Sequence, residues 1–315
     1  MEISEPKGLR IQADDLKVEQ STLVVAVAIP CRNEERFIGS VVLKAKRHVN
    51  HVIVIDDGST DGSASIAEAA GAVVIQDHHA KGKGSAINLA FQEASRLGAD
   101  VLILIDGDGQ HDAGEIPKLL KPIFKGYADI VVGSRSLENG NRMPKYRIAG
   151  QRILTFATNL GSGIKLTDSQ SGFRAFSGKA IRTLSFYEQG FALESEMQFL
   201  AKEEGLKVTE VPITTQYEGK AKRSPIAHGL AVLIRVLSLI NQRQPLLCLS
   251  LPGAILLLIG ISLGLIGLRN YSAIITLPSV QTFVSVLLCA IGFLALFTGV
   301  TLHWLRIFLK RGQGK

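Results

Sequence analysis

Apolar and polar positions alternate in blocks along residues 23–135, and the blocks predict strands and helices in turn. Short runs of apolar, β-branched residues predict strands that are buried on both faces, as in a parallel sheet. They span residues 23–29, 52–55, 72–75, 101–105 and 130–133. Segments with apolar residues at helical spacing separate them, at residues 34–47, 61–70, 84–97 and 113–124. Strands that alternate with helices predict an α/β fold, with a mostly parallel sheet and helices on both faces.

Two long apolar segments follow residue 240. Residues 245–268 contain no charged side chain, and residues 271–305 contain no Asp, Glu, Lys or Arg. Each segment exceeds the roughly 20 residues that a helix needs to cross a bilayer, and Trp304 stands at an edge where interfacial aromatic residues are common. The pattern predicts two transmembrane helices, at about 245–268 and 282–304, within residues 244–309. A pair of buried core helices is the alternative.

Basic residues flank this hairpin at its outer ends. They are Arg235, Arg243, Arg306, Lys310, Arg311 and Lys315, whereas the connector offers only Arg269. By the positive-inside rule, the domain at residues 21–225 is expected in the cytoplasm. Residues 226–243 have apolar residues at helical spacing and predict an amphipathic helix near the membrane. Residues 1–20 are expected to be a polar tail, since they lack the apolar core of a secretory signal.

The formal net charge of +7 fits anionic partners, such as phosphates or an acidic membrane leaflet. Nucleic acid is not expected as a partner, because the sequence contains neither zinc-finger spacing nor an RNA-recognition aromatic motif. Cys31, Cys248 and Cys289 are too scattered for a disulfide framework or a zinc knuckle. A reducing, cytosol-facing location is therefore expected.

Two carboxylates one residue apart follow the strand at 101–105. Asp106 and Asp108 flank Gly107, and Gln110 and His111 come next. Ligands bind at the carboxyl ends of strands in open α/β sheets, and paired carboxylates there suit a hard divalent cation that bridges to substrate phosphates. A polar turn is the alternative, since Asp and Gly are ordinary turn residues.

Two further polar loops are expected at the same edge of the sheet. The first strand leads into residues 30–35 (PCRNEE) and the second into residues 56–61 (DDGSTD). A capped helix start would explain either loop alone. Three acidic loops on one edge are harder to explain by capping, because clustered carboxylates repel unless a cation or a donor network compensates. The three loops together predict a metal–phosphate site.

Six motifs, in this order, resemble family-2 glycosyltransferases of the GT-A fold, in the polyprenyl-phosphate (dolichol-phosphate mannosyltransferase-like) branch. They extend from about Val24 to His228 and read AIPCRNEE, VIDDGSTDGS, KGKGSAIN, DGDGQH, VVGSR and TDSQSGFRAFS. The resemblance implies a Rossmann-like GT-A domain followed by a membrane anchor. It further implies transfer of one sugar, with inversion, from GDP-mannose, UDP-glucose or UDP-N-acetylglucosamine to dolichyl or undecaprenyl phosphate.

The resemblance also carries donor and metal roles onto matching positions. The implied nucleotide-sugar contacts are Pro30, Arg32, Glu34, Asp56, Asp57, Lys83, Asp106, Gly107, Asp108 and Arg135. Mg²⁺ or Mn²⁺ would be held by Asp106, Asp108 and Gln110, and would stabilise charge on the leaving nucleoside diphosphate. Arg32 departs from relatives that often have Tyr there. The loop before Lys83 is not a Walker motif, because Gly rather than Ser or Thr follows the lysine.

Acceptor roles follow from the motif at residues 167–177. The implied contacts to the acceptor phosphate are Arg147, Gln170, Ser171, Arg174, Lys222 and Arg223. A phosphate monoester has a second pKa of roughly 6, so positioning and charge neutralisation matter more than a strong base. A direct chemical role stays open for Asp108, Asp168, Arg174, Glu194 and Glu196. For Glu194 and Glu196, salt bridging or solvation in a helix is the alternative. The basic segment 217–225 is interpreted as a lid or phosphate clamp, or as a loop without a function.

Two other functions compete with this hypothesis. A processive polysaccharide synthase shares the fold and the paired aspartates, but such enzymes carry a QxxRW motif and more spans, and neither occurs in this sequence. A membrane-anchored binding protein would have a degenerate transferase domain, and the intact acidic motifs argue against it. The sugar, the base, the lipid length and a homo-oligomeric state are left open.

Overall fold

The structure is a computed structural model that describes residues 23–76, 82–137, 145–186, 192–215, 225–274 and 279–313. Seven strands form one sheet in the order β3-β2-β1-β4-β6-β5-β7. The strands are β1 (Val25–Cys31), β2 (His51–Asp56), β3 (Val73–Gln76), β4 (Val101–Leu104), β5 (Ile130–Ser134), β6 (Arg174–Ser177) and β7 (Val208–Pro212). The helices are α1 (Ile38–Ala45), α2 (Ser63–Ala69), α3 (Lys83–Arg96), α4 (Ile116–Phe124), α5 (Lys145–Ser162), α6 (Gly178–Thr183), α7 (Leu193–Glu203), α8 (Pro225–Arg243), α9 (Leu251–Ile274) and α10 (Ser279–Gln313).

The sheet is mostly parallel, as the sequence predicts. Strand β1 pairs in parallel with β2 and β4, β2 pairs in parallel with β3, and β5 pairs in parallel with β7. The five apolar runs all form strands, with ends that lie within two residues of the predicted ones. In β4 all four residues are buried, because helices cover both faces of the sheet.

The apolar runs predict five of the seven strands, and β6 and β7 are not among them. Strand β6 lies between β4 and β5 and is antiparallel to both. The strand has four residues and begins with Arg174, so it shows neither an apolar run nor an alternating pattern. Its place in the sheet brings residues 167–173, which precede it, to the carboxyl end of β4.

Two apolar clusters cover the two faces of the sheet. On one face, α3, α6 and α7 contribute buried residues, among them Phe91, which packs edge-on against Phe176 and Phe186 with ring centroids 5.0 Å apart in both pairs. On the other face, α1, α2 and α4 bury residues such as Val42 and Leu119. This confirms the prediction of helices on both faces.

The chain divides into two compact units. One contains residues up to Asn159 and Gly163–Gly229, and the other contains Leu160–Ser162 and Leu230–Lys315. The second unit holds two candidate membrane spans, Cys248–Arg269 and Val280–Phe308, with mean hydropathies of 2.4 and 2.5. Few of their residues are buried, whereas the helices of a soluble core would be. These spans agree with the two predicted from the sequence within a few residues.

Within this second unit, α9 and α10 approach each other closely at glycines. A Cβ atom at Gly260 would lie 2.8 Å from the Cys289 backbone nitrogen and 3.0 Å from the Ser285 carbonyl oxygen. A Cβ atom at Gly292 would lie 2.7 Å from the Gly253 carbonyl oxygen. Small residues allow this backbone contact, which is how helices commonly associate in a bilayer.

Replacing Gly260 by Ala is therefore expected to destabilise the helix pair by about 1–3 kcal/mol through overpacking. Gly267→Ala is the matched control, since its Cβ atom would meet only the Gln281 side chain, at 3.7 Å. Thermal unfolding of the full chain in detergent measures both variants. Equal melting temperatures for the two would contradict the observed approach of α9 and α10.

Candidate active site

The loops after β1 and β2 are joined to each other by hydrogen bonds. The Asn33 backbone N–H donates to Ser59 Oγ at 2.9 Å, and the Thr60 N–H donates to Asn33 Oδ1 at 2.8 Å. Ser59 in turn donates its backbone N–H (3.1 Å) and its hydroxyl group to the buried Asp56 carboxylate. Asn33 has a positive φ of 56°, which Asn tolerates better than most residues. These hydrogen bonds join the two loops into one network.

Asp57 links the same loops to the start of α3. Its Oδ1 accepts from the Gly82 backbone N–H at 3.1 Å, and its Oδ2 lies 3.6 Å from the Arg32 guanidinium. The Asp57 side chain is buried, whereas that of Arg32 is 58% exposed. The predicted donor residues Arg32 and Asp57 are thus brought together, and Arg32 remains accessible to a ligand.

Lys83 joins two acidic groups that are far apart in the sequence. Its Nζ lies 2.8 Å from Asp106 Oδ1 and 2.9 Å from Glu194 Oε1. Burial alone would lower the pKa of Lys83, but the two carboxylates outweigh it and raise this pKa above the ordinary value. Burial would likewise raise the pKa of Asp106, but the Lys83 charge outweighs it and lowers this pKa. The predicted donor, metal and catalytic residues meet at this ammonium group.

Asp108 lies in a different electrostatic environment from Asp106. Burial, and then the nearby Asp106 charge, raise its pKa to about 6, although Asp108 accepts a hydrogen bond from the Gln110 N–H at 3.1 Å. A second negative charge is therefore costly at this turn unless a cation compensates it. Of the two aspartates, Asp108 is the one without a compensating ion pair within salt-bridge distance among the described residues.

The donor set fits a metal that is shared with a substrate. In the part of the chain that the structure describes, no three His, Cys, Asp or Glu side chains are grouped as a metal cage. Asp106, Asp108 and the Gln110 amide offer oxygen ligands on one loop. Mg²⁺ typically takes one or two carboxylates and completes its shell with water and substrate phosphates. The chemistry of these residues thus suits a metal that arrives with a diphosphate.

The loop before β6 passes directly beside Asp106. A Cβ atom at Gly172 would collide with Asp106 Oδ2 and would lie 3.1 Å from Asp106 Cγ. Gly172→Ala is therefore expected to displace this carboxylate and to lower metal-dependent turnover by about 10²-fold, since a misplacement of 1 Å can cost that much. The measurement is kcat/KM together with Mn²⁺ binding.

Gly150→Ala is the matched control for this variant. Gly150 lies in α5, and a Cβ atom there would have no heavy atom within 4 Å. Alanine should raise helix stability there by about 0.5–1 kcal/mol and leave turnover unchanged. Unchanged turnover in Gly172→Ala as well would show that the position of Asp106 does not matter to the reaction.

Asp168 and Arg135 are paired with each other in the interior. Arg135 Nε donates to Asp168 Oδ2 at 2.6 Å, and Arg135 Nη2 donates to Oδ1 at 2.8 Å. Burial would raise the pKa of Asp168, but the Arg135 hydrogen bonds and charge outweigh it and lower this pKa. A carboxylate with a lowered pKa is a weak base. This geometry favours a positioning role for Asp168 over the direct chemical role that the sequence leaves open.

Arg174 lies in the interior rather than on an open acceptor surface. It is 1% exposed, and its guanidinium donates to the backbone carbonyls of Ser171 (2.8 Å), Ser169 (2.7 Å) and Glu194 (3.1 Å). The contact between Arg174 and an acceptor phosphate stays a prediction, and in the structure three backbone carbonyls accept hydrogen bonds from this buried guanidinium. Arg174 thus fixes the 169–171 loop against the first turn of α7.

The other predicted acceptor-side residues have different surroundings. The Gln170 amide donates to Ser195 Oγ at 3.0 Å, and Ser171 Oγ is buried with no hydrogen-bond partner among the described residues. Glu194 and Glu196 lie in α7 as the sequence predicts, and both are buried, so solvation does not explain them. The Arg147 side chain, Lys222 and Arg223 lie outside the described residues.

His111 is a buried residue beside this site to which the sequence analysis assigns no role. It is 6% exposed, its ring lies 5.6 Å from that of Phe173, and its Nδ1 is buried without a hydrogen-bond partner among the described residues. Burial lowers its pKa to about 4 although Asp106 opposes this, so the ring is neutral near pH 7. The only signal in the sequence is its place after the paired aspartates.

The fold and this site define a class of protein. The sheet is mostly parallel and is covered by helices on both faces. Its carboxyl edge carries acidic loops that are joined by hydrogen bonds and a turn with paired aspartates. This is the architecture of a GT-A glycosyltransferase. Residues 26–185 match the family model described as glycosyl transferase family 2. The chain belongs to glycosyl transferase family 2 and is a glycosyltransferase.

Known relatives cover most of this chain. A UDP-N-acetylglucosamine–dolichyl-phosphate N-acetylglucosaminyltransferase of Methanococcus voltae is 32% identical over 240 residues, covering 69% of this chain and 96% of the relative. An undecaprenyl-phosphate mannosyltransferase of Micrococcus luteus is 28% identical over 225 residues, covering 66% and 91%. The solved structure of glucosyl-3-phosphoglycerate synthase from Mycobacterium tuberculosis with Mg²⁺ and UDP has a TM-score of 0.58 and 22% identity, covering 75% and 85%. That structural likeness concerns the fold.

Proposed function

We propose that this chain transfers one sugar, with inversion, from a nucleotide-sugar to a polyprenyl phosphate in a metal-dependent reaction. The observation that carries the proposal is the meeting of Asp106, Lys83 and Glu194 beside Asp108 at the carboxyl end of β4. The relatives support the acceptor class, since those from M. voltae and M. luteus are named for dolichyl and undecaprenyl phosphate. The solved neighbour with Mg²⁺ and UDP supports the donor class and the use of a metal.

Asp106, Asp108 and Gln110 would hold Mg²⁺ or Mn²⁺ together with the donor diphosphate. When bound, the metal would stabilise the charge that develops on the leaving nucleoside diphosphate. Lys83 is 33% exposed and its charge is already fixed beside Asp106, so it would add a second positive charge near the diphosphate. The interlocked loops that carry Pro30, Glu34 and Asp56 would hold the base and the ribose without large rearrangement.

The acceptor would supply its own nucleophile. A phosphate oxygen of the lipid attacks the anomeric carbon, and the bond from that carbon to the diphosphate breaks with its electron pair leaving on the diphosphate. Because the attacking oxygen is already anionic near pH 7, no strong base is required. Burial would raise the pKa of Asp168, but the hydrogen bonds and charge of Arg135 outweigh burial and lower this pKa. Asp168 is then a weak base, which agrees with a mechanism that requires no strong base.

The two apolar helices would keep the enzyme beside its lipid acceptor. Basic residues at both outer ends of the hairpin, such as Arg243 and Arg306, favour a cytoplasmic position for those ends. The domain that holds the paired aspartates would then work at the cytoplasmic leaflet, where nucleotide-sugars are available.

A donor screen tests the proposal. Purified full-length protein in detergent is incubated with Mg²⁺ or Mn²⁺, with undecaprenyl or dolichyl phosphate, and in turn with UDP-N-acetylglucosamine, UDP-glucose and GDP-mannose. We expect one donor to yield a glycolipid that is heavier than the acceptor by a single sugar residue. We expect no such product when a chelator removes the metal. Equal transfer rates with and without the chelator would contradict the proposed metal dependence. Failure to transfer a sugar to any of the lipids would contradict the proposed acceptor class.

A further inference from the structure

A carboxylate on the edge strand β7 accepts hydrogen bonds from the turn at residues 167–168. Glu210 Oε2 accepts from the Thr167 backbone N–H at 2.7 Å, and Glu210 Oε1 accepts from the Asp168 backbone N–H at 3.0 Å. The Thr167 hydroxyl group also donates to Oε1, at 3.2 Å. Hydrogen bonds to an ionised carboxylate are stronger than those between neutral groups. One side chain therefore restrains both backbone amides of this turn.

Hydroxyl groups join the same turn to the end of β5. Thr167 Oγ1 lies 2.7 Å from Ser134 Oγ, and the Ser136 backbone N–H donates to Ser134 Oγ at 3.2 Å. A hydroxyl group has one proton to donate, and that of Thr167 is directed to Glu210. The Ser134 hydroxyl is therefore the donor in its bond to Thr167. The Glu210 carboxylate is the terminal acceptor of this chain of hydrogen bonds.

The turn that Glu210 restrains holds Arg135. Asp168 accepts from Arg135 Nε at 2.6 Å, from Arg135 Nη2 at 2.8 Å and from the Arg135 backbone N–H at 3.2 Å. A bidentate contact of this kind fixes the plane of the guanidinium. The Asp168 side chain is 1% exposed, whereas that of Arg135 is 11% exposed. Glu210 thus acts on the orientation of this guanidinium through Asp168.

Arg135 lies at the edge of the sheet that carries the paired aspartates. Strands β4 and β5 are both antiparallel to β6, so they run in the same direction and end at the same edge. Asp106 comes two residues after β4, and Arg135 directly follows β5. The Gly133 backbone N–H donates to the Phe173 carbonyl oxygen at 2.9 Å, next to the residue that lies against Asp106. A guanidinium at this edge presents a planar set of donors that suits phosphate oxygens.

From these contacts we propose that Glu210 is a positioning residue, which holds the Arg135 guanidinium through Asp168 in the orientation that binds a substrate phosphate. Phosphate is the chemistry that the donor diphosphate and the lipid acceptor share, and separate binding measurements distinguish the two. Glu210 would act without contacting either substrate. This role rests on the proposed function, whereas the restraint of the turn at residues 167–168 does not.

Asp129 provides a matched control at the opposite edge of the sheet. It directly precedes β5, and its carboxylate accepts from the Lys207 backbone N–H at 2.9 Å and from the Ser177 hydroxyl at 3.3 Å. Like Glu210, it therefore joins a backbone amide and a hydroxyl group of neighbouring segments. The length of β5 puts it about 20 Å from Arg135. Asp129→Ala should disturb its own surroundings without reaching the phosphate site.

Hydrogen exchange of the full-length protein in detergent tests the restraint on the turn. In Glu210→Ala, the amides of Thr167 and Asp168 are expected to exchange about tenfold faster than in the wild type, because they lose their acceptor. In Asp129→Ala, the Lys207 amide is expected to exchange faster and the other two are expected to exchange at the wild-type rate. Unchanged exchange at residues 167–168 in Glu210→Ala would contradict the restraint.

Equilibrium binding tests the consequence for Arg135. Two ligands are titrated separately, the Mn²⁺ complex of UDP or GDP and undecaprenyl phosphate in detergent. Glu210→Ala is expected to weaken the binding of one ligand about tenfold, as for partial loss of a hydrogen bond to a charged group, and to leave the other unchanged. The weakened ligand identifies the phosphate that Arg135 contacts. Glu210→Gln keeps one acceptor oxygen and is expected to recover part of the affinity, whereas Asp129→Ala is expected to bind both ligands as the wild type does.

A double-mutant cycle tests whether Glu210 acts through Arg135. Adding Glu210→Ala to Arg135→Gln is expected to cause no further loss of affinity, because the group that Glu210 positions is already absent. Additive losses, or equal weakening of both ligands in Glu210→Ala, would overturn the proposal. Wild-type protein that binds neither ligand would overturn the proposed function together with this role. Wild-type binding that is unchanged in Glu210→Ala would overturn this role alone.

Discussion

Replacing Asp108 by Asn is expected to lower sugar transfer by about a thousandfold, which corresponds to about 4 kcal/mol of transition-state stabilisation. Asparagine keeps the shape of the side chain but removes the charge that a divalent cation requires. Asp108 is the carboxylate whose pKa burial and the Asp106 charge raise to about 6, so a cation would relieve an existing electrostatic cost there. Steady-state kinetics and Mn²⁺ binding in the presence of UDP or GDP measure the two consequences.

Asp112→Asn is the control for this variant, since Asp112 is near the same loop but faces outward. Its side chain is 38% exposed and lies 3.1 Å from Lys44, and it caps a short helical turn by accepting from the Gly114 N–H. Loss of an exposed ion pair and part of a cap costs at most about 1 kcal/mol of stability, with transfer preserved. Full activity in Asp108→Asn would show that Asp108 is not a metal ligand.

Replacing Arg174 by Met is expected to destabilise the N-terminal unit by about 2–4 kcal/mol, because three backbone carbonyls in the interior lose their donor. For a unit of this size that corresponds to a fall in melting temperature of about 5–10 °C. Arg96→Met is the control, since the Arg96 side chain is 69% exposed and forms an ion pair with Glu93 on the same helix. Thermal unfolding of both variants measures the difference.

The same variant separates two roles for Arg174. A positioning residue should lower activity together with stability, and lysine should restore part of both because it keeps one donor. A stable, inactive Arg174→Met protein would instead favour the direct contact with the acceptor phosphate that the sequence suggests.

The fold was predictable where the chain carries a strong local pattern. Strand β4 is an uninterrupted apolar run, so its burial on both faces follows from Val101–Leu104 alone. Strand β6 was not predictable from its local pattern, because its four residues join the sheet by pairing with β4 and β5, which are distant in sequence. An arginine at the start of a short segment gives no local signal for a central strand.

The candidate site was predictable in its composition but not in its pairing. The sequence analysis named Lys83, Asp106 and Glu194 individually, but only the folded chain shows that one ammonium bridges both carboxylates. The role of Arg174 was not predictable, because its partners are backbone carbonyls. Every residue has a carbonyl, so the sequence contains no trace of which ones accept from this guanidinium.

The mass of the lipid product tests the central claim most directly. The full chain in vesicles with polyprenyl phosphate, isotope-labelled donor and Mg²⁺ is predicted to give a single new lipid that carries one sugar and retains one phosphate, and to give none with Asp108→Asn. A ladder of products with increasing sugar number would identify a processive synthase. Donor that binds with the metal but is never turned over would identify a binding protein, and either result would contradict the account.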